Sequence, residues 1–286
     1  MRQAYFLTGA AFLMLGLAAC AGAELEPTPQ VVEGSEAVAR PTPTTLVVPM
    51  ETEEVVVETA VSLPTVEPAP LGEAGTTNFY DMIIGQTTIQ YAVVLPQNFE
   101  PGNEYPVMLA LPPGPQTRSM VQSGLDLYWG EAARLDDWIV VSPAAPGQLL
   151  YFEGAEQLIP GFLDRIAATY PPEGGKFHVT GISNGRVSAF RVAVEHPERV
   201  QSLTVLPGFT QSDTDFEKLA NLVDIPVAMF VGEQDTAWLD AMTLVKEKLD
   251  ELGGTVSLET VPGEGHVIQS LRGADLFAML DSYRNK

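Results

Sequence analysis

The sequence has little cysteine, histidine or positive charge. Its only cysteine, Cys20, excludes an intramolecular disulfide bond. Three histidines limit the choice of a general base, and no cluster of His, Cys and Glu has the spacing of a metal site. Fifteen basic residues against 37 acidic ones give a net charge of −22, which argues against nucleic acid as a partner. The chain also has no P-loop or G-x-G-x-x-G fingerprint, so we expect neither a metal nor a nucleotide cofactor.

The N-terminal residues have the pattern of a secretory signal. Arg2 precedes an apolar run, residues 4–19, that is too short for a membrane span. The run ends in Leu17-Ala18-Ala19-Cys20, which resembles the bacterial lipobox. That resemblance implies cleavage before Cys20, a lipid on its side chain, and an extracytoplasmic protein anchored to a bacterial membrane. The alternative is an ordinary signal peptide with an incidental cysteine.

A linker is predicted over residues 20–75, between the signal and the folded domain. Residues 21–75 contain no aromatic residue and no histidine, while Pro, Thr, Glu and Val dominate. Ten glutamates and one arginine give this segment a net charge of −9. Such a composition cannot bury enough apolar surface to fold, so we expect a disordered spacer. Residues 76–286, with a net charge of −14, form the predicted catalytic domain.

The most informative motif is Gly181-Ile182-Ser183-Asn184-Gly185, which reads G-x-S-x-G. Residues 176–180 before it are typical of a β-strand, and residues 186–195 after it are typical of a helix that ends at His196-Pro197. A strand, a tight turn and a helix are what a nucleophile elbow requires, with small residues two before and two after the serine. The alternative is a glycine-rich loop with no chemical role.

Strands and helices mostly alternate after residue 76, which indicates an α/β fold with a mainly parallel sheet. Gly85-Gln86 joins the first two strands as an antiparallel hairpin. The expected strands are 78–84, 87–95, 106–111, 138–142, 176–180, 200–206, 226–231 and 256–261. The expected helices are 125–135, 157–170, 186–195, 239–252 and 267–282.

This order of elements, together with the serine motif, resembles the α/β-hydrolase superfamily over about residues 78–284. The resemblance implies a mostly parallel central sheet that begins with an antiparallel hairpin and carries helices on both faces. Two segments, Tyr105–Gly114 and Trp138–Pro143, look most like the secreted carboxylesterases related to polyhydroxybutyrate depolymerases and feruloyl esterases.

The resemblance also implies a catalytic triad. A serine hydroxyl needs a base, and this superfamily carries its base in the loop after the last strand, where His266 stands. His178 lies inside a predicted strand, and His196 lies at a helix end. The acid is expected at Asp235, after the strand 226–231, with Glu233 and then Asp240 as competitors. A helix N-cap is the alternative role for Asp235.

The oxyanion formed at Ser183 needs two backbone N–H donors. Asn184, which follows the nucleophile, supplies one. Relatives carry His-Gly-x in the loop that supplies the second, whereas this chain reads Leu111-Pro-Pro-Gly114-Pro. Since proline has no N–H, Gly114 is the only donor among residues 112–115. Arg186 is another departure, because relatives often have a small residue there; its side chain either follows the helix surface or reaches a substrate carboxylate.

The combined prediction is a serine hydrolase that forms an acyl-enzyme on a small-molecule or polymeric ester. Only about twenty residues separate the strands ending at Leu206 and starting at Pro226, so the site should have little cap over it. Trp129, Phe209 and Trp238 either line the substrate pocket or pack in the core. A peptidase or amidase with the same triad, and a non-catalytic binding lipoprotein, are the alternative functions. The sequence does not indicate an oligomeric state.

Overall fold

The computed structural model describes residues 67–135, 137–210 and 212–284. The predicted signal peptide at residues 1–19, the predicted lipidation site Cys20 and the linker up to residue 66 lie outside these ranges. Within them, every helix is too short or too polar to cross a membrane.

A single eight-stranded sheet forms the centre of the described chain, in the order β1-β2-β4-β3-β5-β6-β7-β8. The strands are β1 (Thr77–Ile84), β2 (Thr87–Val94), β3 (Val107–Leu111), β4 (Ile139–Pro143), β5 (Phe177–Gly181), β6 (Val200–Val205), β7 (Val227–Gly232) and β8 (Val256–Val261). Strand β2 is antiparallel to both β1 and β4, and all other neighbouring pairs are parallel. The predicted hairpin and mainly parallel sheet are therefore confirmed.

Helices cover both faces of this sheet, as predicted. The α-helices are α1 (Arg118–Gly124), α2 (Ile159–Thr169), α3 (Asn184–Glu195), α4 (Asp213–Glu217), α5 (Thr236–Glu251) and α6 (Gly273–Asp281). Because side chains alternate along a strand, each central strand serves two cores. In β3, Val107 and Leu109 pack with α2, α3 and α5, whereas Met108 and Ala110 pack with the segment 121–132 and α6.

The helices differ from the sequence prediction at several places, and α4 was not predicted. Helix α1 was not expected, and the predicted helix over Leu125–Leu135 is a short π-helical turn followed by a 3₁₀ turn. Helix α6 begins at Gly273, six residues later than predicted. The difference at α1 follows from tertiary packing: Val121 is the only large apolar residue of α1 that is fully buried, so the sequence carries little helical periodicity there.

The segment 67–75, which the sequence analysis assigns to the linker, packs on helix α2. Ala69 is buried, its N–H donates to the Arg165 carbonyl, and its own carbonyl accepts a bond from Thr169. The Tyr170 hydroxyl accepts from the Gly72 N–H and donates to the Pro70 carbonyl. We name residues 67–75 the strap. The packed part of the chain therefore includes nine residues that the sequence analysis assigns to the linker.

Candidate active site

Ser183 stands in a strained turn between β5 and α3. Its φ of 52° lies in the left-handed region, which non-glycine residues rarely adopt. A Cβ on Gly181 would lie 2.3 Å from the Gly185 carbonyl oxygen, and a Cβ on Gly185 would lie 2.1 Å from the Leu111 carbonyl oxygen. Both positions therefore require glycine, which is the geometry that the G-x-S-x-G motif predicts.

Three polar side chains meet at the carboxyl edge of the sheet. Ser183 follows β5, Asp235 follows β7 and His266 follows β8, and the carboxyl ends of parallel strands share one edge. His266 Nδ1 lies 2.7 Å from Asp235 Oδ2, and His266 Nε2 lies 3.2 Å from Ser183 Oγ. The structure thus joins these three predicted residues in one hydrogen-bonded chain.

The loop that carries His266 is held by two neighbours. A Cβ on Gly232, at the end of β7, would lie 2.2 Å from the Gly265 carbonyl oxygen, so the loop crosses directly over a glycine. The Glu264 carboxylate accepts bonds from the backbone N–H groups of Gln269 and Ser270. These bonds, that from Gln269 above all, hold the pKa of Glu264 below its ordinary value.

The two competitors for the role of acid lie elsewhere. Glu233 is exposed, and its carboxylate accepts a bond from the Gly263 N–H at 2.8 Å, so it supports the turn after β8. Asp240 is exposed on α5. Asp235 does occupy the N-cap position of α5, but its side chain makes no capping hydrogen bond there. Its carboxylate is directed to His266 instead.

The loop at residues 112–117 adjoins the start of helix α3, next to Ser183. Gly114 has a φ of 57°, and its carbonyl accepts a bond from the Asn184 side chain at 3.1 Å. Asn184 therefore ties its own backbone to that of Gly114. Neither backbone N–H donates to an acceptor within the described residues. The two predicted oxyanion donors are adjacent and available.

Gln116, which the sequence analysis did not single out, fastens this loop. It is fully buried with a φ of 52°. Its side chain donates to Ser188 Oγ in α3 at 2.7 Å and accepts from the Tyr151 N–H at 3.0 Å, while its carbonyl accepts from the Ala145 N–H at 2.7 Å. A buried amide with every polar atom used fixes the loop that carries Gly114. A glutamine in a loop gives no sequence signal of such a role.

Solved structures share this arrangement of strands, helices and loops. A scan of protein-family models and a search of curated proteins gave no match. A thermostable esterase matches with a TM-score of 0.54 and 17% identity. The match covers 74% of this chain and 61% of that protein. A ferulic acid esterase has a TM-score of 0.53 and 17% identity over 73% of this chain and 97% of its own.

A dienelactone hydrolase from Anabaena variabilis has a TM-score of 0.55 and 15% identity over 72% of this chain and 95% of its own. The sheet order of the described chain and these likenesses agree. The chain has the α/β-hydrolase fold. At identities this low the likeness extends to the fold alone, so the chemistry must be argued from the side chains of this chain.

In this α/β-hydrolase fold an open groove adjoins the serine turn. Its volume is about 580 Å³, and it has both predicted oxyanion residues in its wall. The lining residues are Gly114, Pro115, Thr117, Leu150, Glu153 and Asn184. Most of this wall is apolar or backbone, with one carboxylate at Glu153. The groove therefore has room for a small molecule beside Asn184, the residue after Ser183.

The aromatic residues suggested for the pocket separate into two groups. Trp129 is fully buried on the face of the sheet that α6 covers, against Gly124, so its assignment to the pocket is wrong and the core alternative is right. Phe209 and Trp238 are partly buried and pack on one another at 5.3 Å between ring centroids. The Trp238 ring also contacts the His266 ring at 4.5 Å. Trp238 therefore lies beside His266 and Phe209 lies beside Trp238, and the lining of the groove described above includes neither of them.

Arg186 takes neither of the positions considered for it. It is only 5% exposed, and its Nη1 donates to the Ser183 carbonyl at 2.8 Å. Its guanidinium carbon lies 3.6 Å from the centroid of the Trp238 ring and 4.5 Å from that of Phe209. Burial lowers the pKa of Arg186 to about 9, and the carboxylate of Asp235 opposes this shift. The group stays charged at neutral pH.

The other two histidines lie apart from the serine. His178 is buried in β5, with Nδ1 2.8 Å from Ser202 Oγ, and His196 ends helix α3. No group of three or more His, Cys, Asp or Glu side chains within the described ranges could hold a metal ion.

Proposed function

We propose that this chain is a serine hydrolase that cleaves carboxylic esters through an acyl-enzyme on Ser183. The observation that carries the proposal is the chain of contacts from Asp235 through His266 to the hydroxyl of Ser183, at 2.7 and 3.2 Å. Such a chain, ending on a serine in a strained turn, is what activation of a hydroxyl requires. The esterases among the structures of the same fold support the substrate class.

In the acylation step, Ser183 Oγ attacks the carbonyl carbon of the ester while its proton passes to His266 Nε2. The Asp235 carboxylate, which accepts from Nδ1, stabilises the imidazolium that forms. The N–H groups of Gly114 and Asn184 receive the negative charge on the carbonyl oxygen. The C–O bond to the alcohol then breaks, and the alcohol leaves with the proton held by His266.

Deacylation repeats these steps with water. His266 takes a proton from a water molecule, whose oxygen attacks the acyl carbon and forms a second tetrahedral oxyanion. The Ser183 ester bond breaks, the carboxylic acid leaves, and the proton returns to Ser183 Oγ. The open groove beside Asn184 gives water access to the acyl-enzyme.

Labelling with a fluorophosphonate probe tests the proposal. The parent should be modified on Ser183, and Ser183→Ala should remain unlabelled although it folds. A panel of p-nitrophenyl esters and matched anilides then separates ester from amide hydrolysis, with faster turnover of the esters expected. Absence of labelling and of turnover in the folded parent would favour the non-catalytic binding lipoprotein instead.

We further propose that the protein is extracytoplasmic and anchored by a lipid on Cys20. The support is the sequence Leu17-Ala18-Ala19-Cys20 after a short apolar run. Detergent phase partitioning should place the parent in the detergent phase, and its mass should correspond to loss of residues 1–19 plus acyl groups. Cys20→Ser should accumulate as a soluble form or an uncut precursor. A Cys20→Ser protein that has lost residues 1–19 and still partitions like the parent would contradict the anchor.

A further inference from the structure

The buried guanidinium of Arg186 contacts the backbone of Ser183 and has no part in the proposed triad chemistry. Arg186 lies in the first turn of α3, three residues after Ser183, and is 5% exposed. It makes no ion pair among the described residues, and its buried Nε has no hydrogen-bond partner there. An unpaired buried guanidinium is costly, so the contacts that it does make must offset that cost.

Those contacts connect both reacting side chains. Nη1 donates to the Ser183 carbonyl at 2.8 Å, which helps to hold the residue at its unusual φ of 52°. The flat guanidinium lies 3.6 Å from the centroid of the Trp238 ring, a close cation–π contact. The same Trp238 ring packs against His266 at 4.5 Å with an interplanar angle of 69°. One side chain therefore supports the serine directly and the histidine through tryptophan.

The surrounding chain is shaped to admit this side chain. A Cβ on Gly208, in the loop after β6, would lie 2.5 Å from Arg186 Cβ and 2.9 Å from its Cδ. Phe209, the next residue, completes the aromatic wall at 4.5 Å from the guanidinium carbon. The backbone N–H of Trp238 donates to the Asp235 carbonyl at 3.1 Å, so Trp238 belongs to the same turn as the acid.

We propose that Arg186 and Trp238 form a positioning pair that keeps the His266 ring between Asp235 and Ser183. The inference rests on the proposed function, since it concerns the same site. Without the guanidinium, Trp238 loses its cation–π contact, and His266, whose side chain is 39% exposed, gains freedom to rotate. Proton transfer in the chemical steps then slows, while the groove that binds the substrate stays as it was.

The test compares Arg186→Lys and Arg186→Met with Arg191→Lys. Arg191 lies on the same helix and pairs with Asp215 at 2.6 Å, so its exchange disturbs a structural ion pair of α3 outside the site. Both Arg186 variants should lower kcat per folded molecule by about 10- to 100-fold with KM within about threefold, as expected when a reacting group is misplaced. Arg191→Lys should lose thermal stability and keep the parent kcat.

A second measurement does not depend on turnover. The proton shared by His266 and Asp235 should give a downfield ¹H resonance in the parent, which should broaden or vanish in Arg186→Met and persist in Arg191→Lys. If Arg186→Met fails to fold, Trp238→Leu provides the same two readouts. An unchanged kcat and resonance, or a rise in KM alone, would overturn the inference. A parent that neither turns over esters nor labels on Ser183 would refute the proposed function, and the resonance would still report on the pair.

Discussion

At the scale of single residues, Ser183, His266 and Asp235 should behave as one unit. Ser183→Ala and His266→Ala should each lower kcat by about 10⁶-fold, and the double variant should lose little more, because each removes the same proton transfer. Asp235→Asn should cost less, about 10⁴-fold, because it mainly upsets the tautomer of the histidine. Single-turnover and steady-state kinetics on one ester measure all four variants.

The matched control for this series is Glu233→Gln, in the same loop as Asp235. Its carboxylate accepts from the Gly263 N–H rather than from His266, so its kcat should stay within about tenfold of the parent, or about 1.4 kcal/mol. Circular dichroism must first show that each variant folds. A large loss of kcat in Glu233→Gln, together with a parent-like kcat in Asp235→Asn, would reverse the assignment of the acid.

His178 should make stability depend on pH. It is 4% exposed, its ring packs on Trp138, and burial, with a smaller contribution from the charge on Arg284, lowers its pKa from 6.5 to about 4. Between those values the unfolded chain binds a proton that the folded chain does not. His178 therefore costs no stability above pH 6.5. As the pH drops from 6.5 towards 4, its titration lowers the free energy of unfolding by about 3 kcal/mol at most.

Urea unfolding at pH 7 and pH 4.5 measures this effect. His178→Asn retains a polar atom near Ser202 Oγ but no titrating ring, so its loss of stability between the two pH values should be smaller than that of the parent. An identical loss in both proteins would show that other groups, such as Glu264 with its lowered pKa, cause the acid sensitivity.

Residue types, chain order and the superfamily resemblance were enough to predict that Ser183, His266 and Asp235 meet, since each depends on its own local sequence and the end of one strand. The role of Arg186 could not be read in the same way. Its burial depends on Gly208 and Phe209 in the loop after β6 and on Trp238 in helix α5. A contact among three separate segments leaves no periodic or spacing signal in the sequence.

At the scale of elements, the loop at residues 112–117 is the part of the site most open to test. Gln116→Ala would leave Ser188 Oγ and the Tyr151 N–H without their partners, and buried polar groups without partners cost about 1–3 kcal/mol each. We expect the free energy of unfolding to fall by at least about 2 kcal/mol. Because the loop carries Gly114, kcat should also fall by at least about tenfold.

Ser212→Ala is the control for lost stability alone. It removes the side chain that caps α4, which costs about 1 kcal/mol, and it touches neither Gly114 nor Ser188. Its kcat should match that of the parent at a temperature where both are folded. If Gln116→Ala also keeps the parent kcat, then the loop holds its position without the glutamine.

The strands were predictable because the buried ones are continuous apolar runs bounded by turn residues, as in β3 and β7. The helices near the ends of the chain were less predictable from the sequence than the strands. Residues 267–272, which were predicted to be helical, instead form a loop, in which the Glu264 carboxylate accepts bonds from the N–H groups of Gln269 and Ser270. Helical periodicity carries no signal for these side-chain to backbone bonds.

At the scale of the whole molecule, the strap divides the predicted linker into two parts with different roles. A variant beginning at Glu67 should match the full chain in stability, whereas one beginning at Thr76 loses the bonds to Arg165, Thr169 and Tyr170. At about 0.5–1.5 kcal/mol per hydrogen bond, the loss is about 3 kcal/mol, on the order of 10 °C in melting temperature.

Differential scanning calorimetry of the two truncated proteins measures the difference. Ester turnover at low temperature should be the same in both, because the strap contacts α2 and not the loops that carry Ser183, Asp235 and His266. Equal melting temperatures would show that the strap adds no stability. A selective loss of kcat in the shorter variant would instead couple the strap to the site.

The strap also decides how the domain would respond to mechanical load. If the chain is tethered through Cys20, tension travels along residues 21–66 and meets the bonds to Arg165, Thr169 and Tyr170 before it reaches the edge strand β1. The nine residues of the strap would bear the load as shear along helix α2, and β1 would not be peeled from β2. A protein tethered in this way would bear tension along its linker, while the carboxyl edge of the sheet, where Ser183, Asp235 and His266 meet, would stay unstrained.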